Sequence, residues 1–281
     1  MKGASEKFKL ALTATPSHPR RAPLLLCGDL ADAFRQAAET GCQGVEIHMR
    51  QAADVDLSQV KRLMKEYGLK VPTLGTGMAA GDGLSFSHPD TAVRTRTIDR
   101  VLGHIRFAAE TGSAVTIGSL SGNLGDCDAQ ERRGRRAAAV ESLGQLCGQA
   151  LKANVTVLLE PLNRYEGDYI NRLADGVKIV EEIGAGNLKL LADTFHMNIE
   201  EPDVCQSLRT AGPWIGHVHL ADTNREAPGH GHMDVVSVLE ALDSIAYEGF
   251  LSFEIFPLPD PQQAIHDSVQ MVRTALDVRA N

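Results

Sequence analysis

Cysteine is scarce and unpatterned. Cys27, Cys42, Cys127, Cys147 and Cys205 are odd in number, scattered, and never spaced as CxxC. That argues against a disulfide framework and points to a reducing compartment. No run approaches the roughly 20 apolar residues of a membrane span. The polar lead-in Met1–Lys7 is followed by an apolar stretch soon broken by Pro16 and Pro19, which does not fit a signal peptide. A cytoplasmic protein is the expectation, with no membrane partner. Positive charge is also short, with 28 Lys and Arg against 36 Asp and Glu and a net charge of −8. A nucleic-acid surface normally shows the opposite balance. No GxGxxG follows the first strand pattern, so an open dinucleotide-binding sheet loses its main support. No Gly-rich phosphate cradle, linker or low-complexity tract stands out.

What remains is regular alternation. Strand-like segments are read at 8–14, 45–48, 69–74, 114–118, 155–159, 188–192, 215–220 and 250–255. Helical patterns lie between and after them at 28–40, 57–67, 90–111, 129–153, 173–183, 203–210, 235–246 and 261–278. Gly41, Gly68 and Gly112 stand where three of these helices should close. Strict alternation implies a parallel sheet, and eight repeats imply a closed α/β barrel. The 281 residues suit a (β/α)₈ barrel, which typically takes about 250. One TIM-barrel domain over residues 1–281 is expected.

The chemistry gathers at the last four strand ends: Leu158-Leu159-Glu160-Pro161, Leu191-Ala192-Asp193-Thr194, His217-Val218-His219-Leu220 and Ser252-Phe253-Glu254-Ile255. In a parallel barrel these ends meet at one mouth. Three carboxylates and one imidazole form an oxygen-rich set suited to Mn²⁺ or Mg²⁺. One charged strand end could be an ordinary solvated terminus; four in succession are hard to read that way. His217 shares a strand face with His219 but lies one layer deeper, and reads as a hydrogen-bonded core histidine. Loop residues add polar groups to the rim: Arg164 and Glu166, His196, and Asp222, Asn224 and Arg225. Each alone reads more readily as a cap or surface pair; as a group they point to function.

These residues carry a resemblance. The segments Glu160-Pro161-Leu162-Asn163-Arg164-Tyr165-Glu166, Asp193–Glu201 and Gly216–Arg225 resemble the xylose isomerase-like sugar isomerases and epimerases, most of all ketose 3-epimerases of the D-tagatose and D-psicose type. The match continues through Pro228–His232 and Glu254-Ile255-Phe256. It covers the C-terminal half; the N-terminal half matches only in its alternation. The resemblance implies one divalent ion, Mn²⁺ before Mg²⁺, Co²⁺ or Zn²⁺, bound by Glu160, Asp193, His219 and Glu254. It implies Glu160 and Glu254 as the acid–base pair, Glu166, His196 and Arg225 as substrate contacts, and a small-molecule ketose as substrate. A homodimer or homotetramer is also implied. Two departures bear on the sugar: neither the first strand, Leu10–Thr15, nor the end of the fourth, Gly118–Gly122, supplies the aromatic walls common in those epimerases.

Three enzymatic alternatives share the barrel. An aldose–ketose isomerase of the hydroxypyruvate isomerase kind would move the proton between C1 and C2. An inosose-type dehydratase would expel a hydroxyl. An endonuclease IV-like phosphodiesterase needs a trinuclear zinc cluster, and the third and fourth strand ends offer no histidine for it. A non-catalytic sugar-binding barrel should have lost a carboxylate, and none is missing.

Overall fold

The computed structural model describes residues 8–19 and 22–280, so the lead-in Met1–Lys7 lies outside it. Nine strands run parallel: β1 (Lys9–Thr15), β2 (Leu26–Cys27), β3 (Gly44–His48), β4 (Thr73–Gly75), β5 (Ala114–Ile117), β6 (Val157–Leu159), β7 (Leu188–Asp193), β8 (Ile215–His219) and β9 (Phe250–Phe253). Strand β9 pairs back onto β1, from Lys9↔Phe250 to Leu12↔Phe253, and closes the ring. Strand β2 pairs with the last two residues of β1, through Ala14↔Leu26 and Thr15↔Cys27. It is therefore an addition at the rim, and the closed barrel has the eight strands expected.

The helices are α1 (Leu30–Thr40), α2 (Leu57–Tyr67), α3 (Thr91–Thr111), α4 (Ala129–Lys152), α5 (Leu173–Ile183), α6 (Thr194–Glu200), α7 (Val204–Ala211), α8 (Val235–Ser244) and α9 (Pro261–Ala280). Aspartates start most of them: Asp29, Asp56, Asp90, Asp128, Asp193, Asp203 and Asp234 each accept a backbone N–H of the first turn. Gly41, Gly68 and Gly112 close α1, α2 and α3 in the left-handed conformation, as their positions suggested. Among the described residues, no helix is long and apolar enough to cross a membrane.

Strict one-to-one alternation does not hold. Strand β2 follows β1 with no helix between, and α6 is an extra helix that begins at the residue after β7. Seven residues are too few for a hydrophobic period to stand out against a loop. The third barrel strand is also shorter than read, spanning Thr73–Gly75 where 69–74 was expected. Pro72 has no N–H to give a ladder, and Lys70 is left with an isolated bridge to Gly44.

Alternation within strands divides the barrel into two environments. On β3, Val45 and Ile47 face outward and join Phe34 and Val60 in the core between sheet and helices. Glu46 and His48 face inward. The interior is polar at this level: Thr73 Oγ1 bonds Thr116 Oγ1 at 2.8 Å, and Thr13 Oγ1 donates to the Phe253 carbonyl at 2.8 Å.

Candidate active site

Four strand ends deliver the residues singled out above. Asp193 and His219 are the last residues of β7 and β8 and are partners in register, while Glu160 and Glu254 each follow the last residue of β6 and β9. Each offers one ligand atom, and all four atoms lie within 4.8 Å of one another. His219 Nδ1 stands 3.6 Å from Glu160 Oε1, 3.7 Å from Asp193 Oδ2 and 3.6 Å from Glu254 Oε2. Glu160 Oε1, Asp193 Oδ2 and His219 Nδ1 are buried with no hydrogen-bond partner. Orphaned buried polar atoms are costly and uncommon. Three of them facing one centre, all hard oxygen or imidazole donors, fit a divalent cation.

Local structure fixes each group. Asp193 caps α6: its Oδ1 accepts from the Phe195 N–H at 2.8 Å, which leaves Oδ2 for the centre. A Cβ on Gly118 would overlap Glu160 Oε2, so a glycine at the end of β5 makes room for that carboxylate. His219 is oriented from behind by Glu46, whose Oε1 is 3.0 Å from Nε2. A carboxylate on the far nitrogen of a ligand histidine fixes its tautomer and aims the other nitrogen at the ion.

Glu46 is the residue that sequence reasoning missed. It is fully buried, and besides His219 it lies 2.8 Å from His48 Nε2 and 3.0 Å from His217 Nε2. His217 also meets Ser252 Oγ at 2.9 Å, which is the hydrogen-bonded core role expected of it. Glu46, His217 and His219 lie close enough to resemble a second ligand group, but their contacts have hydrogen-bond lengths. Burial opposes charge on Glu46, yet the His219 charge and three imidazole hydrogen bonds hold its carboxyl well below the usual range. Burial likewise opposes charge on His219, and Glu46 and Glu254, then Asp193 and Glu160, outweigh it and raise the imidazole well above its ordinary value. Burial pushes the Glu160 carboxyl up. Glu254 is held low despite burial by the charges of His219 and Arg225. The signal for Glu46 was present in β3, where Glu46 and His48 share one face against apolar Val45 and Ile47.

The rim residues separate into two kinds. Arg225, Glu166 and His196 face the centre. Arg225 Nη2 bonds Glu254 Oε2 at 2.6 Å, its Nη1 reaches Glu166 Oε1 at 3.4 Å, and its guanidinium lies 4.7 Å over the Phe195 ring. Its backbone takes a left-handed φ of 61°, costly for a non-glycine residue. The turn around it persists because the Arg225 N–H donates to the Asp222 carbonyl and the Phe256 N–H donates to the Arg225 carbonyl. His196 Nδ1 accepts from Asn163 Nδ2 at 2.7 Å, which turns Nε2 toward Asp193 Oδ2 and Glu160 Oε1 at 3.7 and 4.0 Å. Asn163 also holds Glu166 Oε1 at 3.0 Å, a positioning role no sequence signal marked.

Arg164 and Asp222, grouped with the rim from sequence, point elsewhere. Arg164 makes a two-pronged pair with Glu200 of α6 at 2.8 and 3.0 Å. Asp222 is buried and accepts backbone N–H groups from Thr223, Gly229 and Met233, organising its own loop.

Beside the centre opens a cavity of about 250 Å³ that reaches His48, Thr76, Met78, Ser119 and Glu166. None of its described lining residues is Phe, Tyr or Trp, in line with the missing aromatic walls. The second barrel strand does end in a histidine, His48, but Glu46 engages its Nε2.

A family model described as Xylose isomerase-like TIM barrel matches residues 34–275. An L-ribulose 3-epimerase of Mesorhizobium japonicum is 32% identical over 228 residues, covering 81% of this chain and 76% of the relative. A 3-dehydro-D-guloside 4-epimerase of Escherichia coli is 31% identical over 250 residues, covering 88% of this chain and 95% of the relative. The solved structure of an L-ribulose 3-epimerase superposes with a TM-score of 0.83 at 25% identity, covering 97% of this chain and 96% of that one. The closed parallel barrel, the converging strand ends and these likenesses agree: the chain belongs to the xylose isomerase-like TIM barrel family.

Proposed function

We propose that this protein is a divalent-metal-dependent epimerase of keto sugars that inverts the carbon beside a ketone, with C3 of a ketose as the reacting position. The observation that carries the reading is the trio of orphaned buried atoms, Glu160 Oε1, Asp193 Oδ2 and His219 Nδ1, facing one centre with Glu254 beside them. A divalent ion, Mn²⁺ by choice, would be held by these four residues and would polarise a carbonyl and its neighbouring hydroxyl, easing loss of the adjacent C–H proton.

The proton itself is moved by this chain. Glu160 and Glu254 would flank the reacting carbon: one, as a carboxylate, takes the proton from one face, and the other, starting protonated, gives its own to the opposite face, which inverts the carbon; exchange with solvent then resets the pair. Arg225 steadies Glu254 and, with Glu166 and His196, holds the sugar's oxygens. Asn163 keeps His196 in the tautomer that donates from Nε2. The proposal extends to one domain over residues 1–281, assembled as a homodimer or homotetramer in the cytoplasm.

A second reading has its own support. The E. coli relative, named for a 4-epimerisation, matches over 95% of its length. Inversion at C4 of a 3-keto sugar breaks the same kind of bond, a C–H next to a ketone. Turnover in D₂O with Mn²⁺ separates the outcomes when products are read by NMR. Deuterium at C3 of a free ketose supports the first reading, and at C4 of a 3-keto-glycoside the second. Label at C1 or C2 would establish an aldose–ketose isomerase, and loss of water a dehydratase.

A further inference from the structure

We propose that His48 is a substrate-contacting residue of this site, hydrogen-bonding a hydroxyl oxygen of the keto sugar on the Glu254 side of the cavity. The proposal rests on the epimerase reading above. His48 ends β3 and lines the cavity together with Glu254 and Thr76. Its ring is held from one side and left open on the other. Nε2 lies 2.8 Å from Oε1 of the fully buried Glu46, and Gly75, its partner in register on β4, leaves open the space beside Nδ1 that any side chain would fill.

The bond to Glu46 leaves Nδ1, with open space beside Gly75, as the polar atom at the cavity wall. It stands 3.9 Å from Glu254 Oε1, beyond direct hydrogen-bond reach and within the span that a sugar oxygen could share with both groups. Thr76, the neighbouring polar residue on that wall, spends its hydroxyl on the Thr116 carbonyl at 2.6 Å. Glu46 thus serves two ends of one strand-to-strand network: it aims His219 Nδ1 at the ion position and His48 Nδ1 at the sugar. A preformed, immobile polar atom at a wet wall loses little freedom on binding, the economy expected of a specificity contact.

Two isosteres separate a contact from a mere support. In His48→Asn the amide occupies the place of Nδ1 and gives up Glu46; in His48→Gln it reaches Glu46 and gives up the cavity-facing atom. A substrate contact predicts that His48→Gln loses roughly tenfold to a hundredfold in kcat/KM, with Mn²⁺ content unchanged. His48→Asn should recover most of it. The reverse ranking, or equal activity in both, overturns the proposal.

Calorimetric binding of the same ketose to the Mn²⁺-loaded proteins provides a readout independent of turnover. Weaker binding in His48→Gln than in His48→Asn supports the contact even if the wild type fails to epimerise that sugar, which would count against the reaction assignment alone. No binding of any keto sugar to the wild type overturns both.

Discussion

The two halves of the barrel rim are built from different chemistry. Strands β6 to β9 end in Glu160, Asp193, His219 and Glu254, which carry the charge. Strands β4 and β5 end in Gly75-Thr76 and Ile117-Gly118, which supply space. Neither half makes a site alone. Gly118 stands where any side chain would overlap the Glu160 carboxylate, and Gly75 where one would overlap the His48 ring. Strand β3 belongs with β4 and β5 by order and with β6 to β9 by chemistry, because Glu46 sets the histidine of β8. The charged residues define what can be bound; the glycines and Glu46 define whether they can reach it.

The largest effect should come from the charged half. Glu254→Gln should lower turnover by at least ~10³-fold, since a positioned acid–base group typically contributes 10² to 10⁴ and Glu254 is also proposed to hold the ion. Mn²⁺ affinity should fall with it. Full activity in that variant would remove Glu254 from the mechanism. The space-giving half is probed by Gly118→Ala, which should displace Glu160 and weaken Mn²⁺ binding by about 10- to 100-fold. Gly77→Ala is its control, since the added methyl meets Ser119 Oγ at an ordinary 3.7 Å. If both variants bind Mn²⁺ like the wild type, the division of labour between the halves is wrong.

Arg225→Ala tests the loop that follows β8. It should cost about 10²-fold in kcat/KM while Mn²⁺ content stays near that of the wild type. Loss of the ion would show that the 2.6 Å bond to Glu254 serves the ion ligands and not the sugar. The protonation state of His219 offers a milder test. Its raised value means that the ion-free protein keeps the imidazole charged at neutral pH, so loading a cation on Nδ1 expels that proton. Affinity should therefore climb with pH by about tenfold per unit through the neutral range, and roughly one proton should be released in weakly buffered solution at pH 7. Uptake without proton release would show His219 already neutral.

Sequence made the scaffold and the four strand ends legible because both depend on local pattern. Helix ends were marked by glycines such as Gly68, and the ligand-type residues closed apolar runs. What stayed hidden depends on contacts across the barrel. Glu46 shares a strand face with His48, but its role shows only when β8 brings His217 and His219 to it, 171 and 173 positions away. Helix α6 stayed hidden for a different reason. It lasts seven residues, and Asp193 ends the strand and caps the helix at once. Loop side chains were the hardest: Arg164 and Arg225 follow Glu160 and His219 by similar distances, yet one points to α6 and the other to the centre.

That last contrast gives the smallest expected effect. Arg164 pairs with Glu200 through Nε at 2.8 Å and Nη2 at 3.0 Å, but 58% of its side chain is exposed, and exposed pairs contribute little. Removing it does not strand Glu200, because the Arg164 backbone N–H still donates to Glu200 Oε1 at 2.7 Å. The loop that carries Glu160, Asn163 and Glu166 therefore keeps its main tether to α6. Arg164→Ala should change kcat/KM by no more than a few-fold and leave Mn²⁺ content unaltered, whereas Glu200→Ala, which removes the backbone acceptor as well, should be the more damaging of the two. Steady-state kinetics on both variants, with ion content measured in parallel, decide it. If Arg164→Ala matched Arg225→Ala in its loss, the pair with Glu200 would not be its working state, and Arg164 would have to swing inward to meet the sugar.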